Sequence, residues 1–130
     1  MNIEIFTLCD AATEAQGKLN ILGTFDTIWA RQVPTIHPQC AVVIRLRFSR
    51  IEAGDHKIIL QFVDEDGKEL LPSLQGNLQV KIDQEAGFAG ANLILNIQGL
   101  QLPKIGEYSF DLAVDSIEVA SLPLMVKQAN

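Results

Sequence analysis

Few side chains in this sequence have the types and spacing for chemistry. The nearest approach to a metal-binding set is His37-Pro38-Gln39-Cys40, which offers two soft ligands, with Cys9 and Asp10 as conceivable additions. Zinc sites usually draw paired Cys or His from two parts of a chain, and no second pair is present. Cys40 with His37 or His56 also has the types of a nucleophile and its base, which act only within hydrogen-bond reach of each other. Cys40 opens a strongly apolar run, and that setting favours a buried, inert thiol. Asp64, Glu65 and Asp66 precede Gly67 and could supply oxygens to calcium. A closed calcium site needs about six to eight oxygens, and the twelve-residue loop of the EF-hand is missing. Asp and Gly are also what a solvated hairpin tip requires, and that reading is preferred. Phosphate-binding Gly-rich loops, nucleophile elbows and dinucleotide fingerprints are absent, so neither a catalytic residue nor a cofactor is expected.

A second kind of candidate is a surface. Arg45 and Arg47 alternate with apolar residues on one run, pointing outward with Val43. If that run pairs with the one beginning near His56, Lys57 and Ile59 join them. An apolar patch fringed by arginine has the composition of a partner surface, so Val43, Arg45, Arg47, Lys57 and Ile59 are the partner-binding candidates.

These groups are positioned by strands, because the apolar side chains recur every second residue along most of the chain. Val42, Ile44, Leu46 and Phe48 share one parity; Ile58, Leu60 and Phe62 repeat the pattern; Leu78, Val80 and Ile82 do so again. The opening run over residues 3–9 changes parity between Ile5 and Phe6, which requires either two covered faces or a bulge. Residues 10–17 are small and polar and suit a turn, and residues 18–31 read as one strand bent at Gly23. Two prolines make 33–38 a crossover. A short strand is expected near 69–71, a loose connection over 84–90, and another strand from Phe88 to Leu100. Trp29 is expected in the core or at its margin. The last third carries two alternating runs joined at Asp115-Ser116-Ile117-Glu118, a hairpin signal. Pro123 places the final strand at an edge, at least locally. The lead-in Leu102-Pro103-Lys104-Ile105-Gly106-Glu107-Tyr108 resembles the tyrosine corner of immunoglobulin-like sandwiches. The expected fold is all-β: an antiparallel β-sandwich with immunoglobulin-like Greek-key connections and seven to nine strands.

The totals bound the rest. A chain of 130 residues, 48% hydrophobic and 20% charged, suits a single domain over residues 1–130 with its own core. Ten Lys and Arg against sixteen Asp and Glu give a net charge of -6, with no basic stripe to meet a nucleic acid. Apolar runs are far shorter than a membrane span requires. Met1-Asn2-Ile3-Glu4 shows none of the features of a secretory signal, so a cytoplasmic location is expected and Cys9 and Cys40 are expected to be free thiols.

The segments 5–12, 18–26 and 106–110 resemble a family of bacterial proteins of about this length with no assigned function. The resemblance implies a bacterial source and supplies no catalytic residue. The expected role is a non-enzymatic protein-binding or assembly module, acting on a protein partner or on itself as a homodimer. The alternatives are a small-molecule or metal-dependent enzyme sited in loops, and a calcium-dependent lipid-surface domain.

Overall fold

Strands form wherever the two-residue rhythm is present, and the sheets they build seal two apolar faces against each other. The computed structural model describes residues 1–130. It contains nine strands: β1 (Asn2–Ala15), β2 (Lys18–Thr24), β3 (Thr27–Ala30), β4 (Thr35–Ser49), β5 (Gly54–Val63), β6 (Leu74–Val80), β7 (Phe88–Leu102), β8 (Gly106–Val114) and β9 (Ile117–Gln128). A single 3-10 turn, Arg50–Glu52, carries the chain from β4 to β5. One sheet has the order β2-β1-β4-β7 and the other β3-β9-β8-β5-β6. All neighbours are antiparallel except β3 and β9. The five-stranded sheet curls into a half-barrel.

Between the sheets lies one cluster of 20 buried residues. The four-stranded sheet contributes Leu8, Val42, Ile44, Leu46 and Phe48, and the five-stranded sheet Ile58, Leu60, Phe62, Phe110, Leu112 and Leu124. Phe62 packs against Tyr108 and Phe110 with ring centroids 5.5 and 4.6 Å apart. The parity change in β1 is met by a register shift between Ile3 and Ile5, which lets Phe6 and Leu8 turn inward. Tyr108 is buried, and its hydroxyl donates to the Lys104 carbonyl at 2.6 Å and accepts from the Lys104 N–H at 3.1 Å. The tyrosine-corner hydrogen bond read from the sequence is therefore formed, tying the start of β8 to the loop that enters it.

Several expected boundaries move. Residues 10–15 continue β1 rather than turning, because Ala12 joins Leu19 and Ile21 in packing over buried Cys9, Ala41 and Val43. Burial here overrides a weak local pattern. The turn is confined to Gln16 and Gly17, both with positive φ. Residues 18–31 form two strands in different sheets, β2 and β3. Residues 33–38 are only partly a crossover, since β4 begins at Thr35 and runs through Pro38. Near 69–71 only a single bridge forms, Val63 to Glu69. Trp29 is 63% exposed on β3, not in the core. Pro123 does lie where β9 is open on one side: β3 pairs with β9 only from Met125 to Gln128.

Replacing Tyr108 with Phe removes the hydroxyl and leaves the Lys104 N–H and C=O without their partner. Urea unfolding of Tyr108→Phe is expected to show a loss of about 1–2 kcal/mol with an unchanged slope.

Candidate functional site

The two thiols are held apart by the pleat of one sheet. Cys9 pairs with Ala41, so its neighbour Cys40 points to the opposite face. Both are free and fully buried. Burial is the main cause that holds both thiols above their usual range, Cys40 at about 11, with the nearby Cys9 and Asp10 adding to it. At neutral pH neither is a thiolate, which is the reactive form.

His37 does not share a pocket with Cys40. Its ring lies 5.5 Å from that of Phe25, and with Asp10, Trp29, Thr24 and Gly23 it lines a shallow depression of about 450 Å³. Asp10 reaches this position by lying against Gly23, where φ is +71° and a Cβ would collide with the carboxylate. The Asp64 loop belongs to a different depression, of about 520 Å³, formed with Glu107, Ser109, Ser121 and Met125. There Asp64 accepts the Asp66 and Lys68 N–H groups at 2.9 and 3.0 Å, which holds its carboxyl below the usual range. Glu65 accepts the Glu107 N–H at 2.7 Å, across Gly106, and Asp66 lies 3.7 Å from the Lys104 ammonium. The acidic loop is thus a hydrogen-bonded turn docked on β8. No group of three or more His, Cys, Asp or Glu side chains converges as a metal-binding set.

The five surface candidates do not form one surface. β4 and β5 belong to different sheets, so Lys57 and Ile59 lie away from Arg45 and Arg47. Val43, expected outward, is fully buried. The outer part of the β1–β2 hairpin bends at Asp10 and Gly23 and lies over it, with the Gly17 carbonyl accepting from Asn92 of β7 at 3.1 Å. Arg45 donates to Glu4 at 3.2 Å and to Asn92 at 2.8 Å, and Arg47 lies 3.7 Å from the same Glu4. These arginines tie β1, β4 and β7 together on the sheet surface.

Two features carried no recognised sequence signal. The first is a polar clamp at the end of the sandwich where β4 crosses to β5. Glu52 accepts the Met1 ammonium at 2.8 and 2.9 Å and both the N–H and hydroxyl of Ser49 at 2.8 Å, which brings its pKa down to about 2. His56 stacks on Phe48, with one ring nitrogen 2.5 Å from the Glu52 carbonyl and the other 2.6 Å from the Asp115 carboxylate. Both partners are acceptors, so only the doubly protonated imidazolium satisfies them together. The Glu52 carbonyl first, and Asp115 second, raise the His56 pKa. Asp115 also accepts the Lys57 N–H and is correspondingly lowered. These residues are spread over more than a hundred positions, so no local spacing announces them.

The second is a flank. β6 and β7 end their respective sheets on the same side of the sandwich. Leu74–Val80 and Phe88–Leu102 contain no charged residue and no proline, in a chain that is 20% charged. Apart from the ladders to β5 and β4, neither strand's main chain takes part in any hydrogen bond. The other free edges are broken up: β2 bears Lys18 and the Gly23 kink, β3 has only four residues, and open β9 carries Glu118 and Pro123. The signal for the flank was present in the sequence as two charge-free windows.

The fold therefore defines a two-sheet, all-β protein whose distinctive surface is a sheet edge. The chain belongs to a family of unknown function (DUF6941), matched over residues 4–127. No curated protein matches it.

The clamp makes stability depend on pH in a defined direction. Because the His56 pKa is raised above its ordinary value of 6.5, its contribution is complete below that value and disappears as pH rises through the folded-state pKa. Melting temperature measured upward from pH 6 should therefore fall, and Asp115→Asn should flatten that fall without removing it, since the Glu52 carbonyl remains. A second expected outcome concerns the thiols: a colorimetric disulfide reagent at neutral pH should label Cys9 and Cys40 slowly in the folded protein and rapidly in urea.

Proposed function

We propose that this protein is a non-enzymatic protein-binding or assembly module whose docking edge is the flank formed by β6 and β7. The observation that carries this reading is the charge-free, proline-free edge of β7, fifteen residues long, with β6 beside it. An edge strand presents a row of N–H and C=O groups ready to pair with another chain, and proteins that must avoid such pairing place Lys, Pro or bulges there. A bound strand satisfies those groups by extending the sheet, while its alternate side chains supply selectivity.

This reading is preferred to a loop-sited enzyme because Asp10 and His37 line one depression, Asp64 and Glu65 another, and Cys40 neither. It is preferred to a calcium-dependent lipid-binding domain because the carboxylates of the 64–66 loop are engaged with main-chain N–H groups and Lys104. A bacterial cytoplasm is the setting we propose, on the family resemblance and on two buried thiols that the sheet keeps apart. An immunoglobulin-like descent is supported by the Tyr108 corner, although the parallel β3–β9 pair is an addition to such a plan.

The test is capture from the native cell with three baits: wild type, Lys57→Glu as a control on the outer face of β5, and the flank double variant Gln79→Lys with Asn96→Lys. A protein retained by the first two and lost by the third supports the reading. Retention by all three, or none captured by wild type, overturns it.

A further inference from the structure

We infer that the chain bound along β7 is a second copy of this protein, joined by symmetric antiparallel pairing of β7 with β7, an inference that rests on the binding-module reading above. Three observations lead to it. First, the edge is charge-free although the chain carries a net charge of -6. A dissimilar partner of an acidic protein gains speed and selectivity from opposite charge, and the strand itself offers none to complement, the nearest cations, Arg45 and Arg47, being held by Glu4, Asn92 and Phe88. Two copies repel each other over most of their surfaces, and the charge-free flank is where that repulsion is least.

Second, the regular part of β7 has a natural centre. Phe88 pairs with Ser49 and Gln98 with Gln39 in an unbroken register with β4. Beyond Gln98 the strand is interrupted at Gly99, where φ is +68° and Pro38 stands opposite. Phe88 lies under the Arg47 guanidinium, so the stretch free for a partner is 89–98, with its middle at Leu93 and Ile94. A two-fold axis at Ile94 places Ile94 against Ile94 of the other copy, Leu93 against Leu95, Ala91 against Ile97, and Asn92 against Asn96.

Third, this register is self-complementary. On the core side Ala91, Leu93, Leu95 and Ile97 meet only one another, and on the outer side Ile94 meets Ile94 and Asn92 meets Asn96, like facing like across the strands. A shift of one residue would turn the second copy over, aligning the core face of one sheet with the outer face of the other and losing this match. The product is a continuous eight-stranded sheet spanning both copies, with an isologous interface closed by its two-fold axis.

The experiment is sedimentation equilibrium of the full chain from low micromolar to high concentration, with circular dichroism to confirm folding of each variant. Wild type is expected to double its mass, and Asn96→Lys with Gln98→Lys, which adds four cations around the axis, to remain monomeric. In a separate arm, Ile94→Cys treated with a short bismaleimide should give a covalent dimer, whereas Leu22→Cys on β2, at the other end of the sheet order, should not, the two native thiols being buried. A wild type that stays monomeric throughout, a dimer indifferent to the two lysines, or equal cross-linking at positions 22 and 94 would overturn the inference. If wild type is monomeric and the capture experiment still returns a partner lost with the Gln79→Lys, Asn96→Lys bait, self-pairing fails while the binding-module reading stands; if nothing is captured either, both fail.

Discussion

The centre of β4 is dry on both faces, and most of the architecture follows from keeping it so. Cys40, Ala41, Val42, Val43 and Ile44 are consecutive and all fully buried. A pleated strand sends successive side chains to opposite sides, so five buried neighbours require two separate covers. One is the five-stranded sheet. The other is the chain's own β1–β2 hairpin, which bends at Asp10 and Gly23 and brings Ala12, Leu19 and Ile21 down over Ala41 and Val43. Each buried aliphatic side chain is worth about 1.5–3 kcal/mol relative to exposure, more than a bend at one glycine costs. Spending the hairpin on this cover has a topological consequence: β1 occupies one side of β4, β7 the other, and no strand remains to close β7.

The two ends of the sandwich are fastened by different chemistry. At one end the Tyr108 hydroxyl grips the Lys104 main chain, accepting from its N–H and donating to its carbonyl. At the other, four charged groups join segments remote in the chain: the Met1 ammonium, Glu52, His56 and Asp115. Glu52 works from both its ends, since its carboxylate holds Met1 and Ser49 while its carbonyl holds His56. Protonation of His56 therefore strengthens the crossover between the sheets, and the acidic partners lose their charge only far below neutrality, Glu52 at about 2. The flank formed by β6 and β7 contains no titratable side chain, so its pairing chemistry is insulated from this electrostatic fastening.

Much of the fold was legible in the sequence because alternation, turns and the Tyr108 lead-in are local signals. The core parity of β4, β5 and β8, the bulge in β1, and the open stretch of β9 at Pro123 could all be read that way. What could not be read was which strands become neighbours. Pairing β4 with β5 assumed that consecutive strands share a sheet, whereas the 3-10 turn at 50–52 sends the chain across the sandwich and separates Arg45 and Arg47 from Lys57 and Ile59. Val43 misled for a related reason: its outward parity was correct, but exposure depends on a hairpin some twenty residues earlier folding back. Trp29 looked like core by residue type, yet it sits on a four-residue edge strand with the Lys127 ammonium 5.5 Å from its ring. The flank has no motif of reactive side chains to announce it, because its informative property is a lack of charge.

A long edge without charge or proline is also the pattern expected of an aggregating strand, and the features of β7 distinguish the two outcomes. Open-ended stacking needs a flat strand that can add partners on both sides. Here β4 holds one side of β7 along its whole length, so only one further strand can be added. Gly99 and Pro38 break the regular edge at one end, and Arg47 packs over Phe88 at the other, limiting where a partner strand can seat. The outer-face amides Asn96 and Gln98 reward a partner that presents hydrogen-bonding groups in register, while Asn92 is already held by Arg45 and the Gly17 carbonyl. An edge bounded at both ends and open on one side is saturated by a single added strand, which makes its exposure compatible with a defined complex.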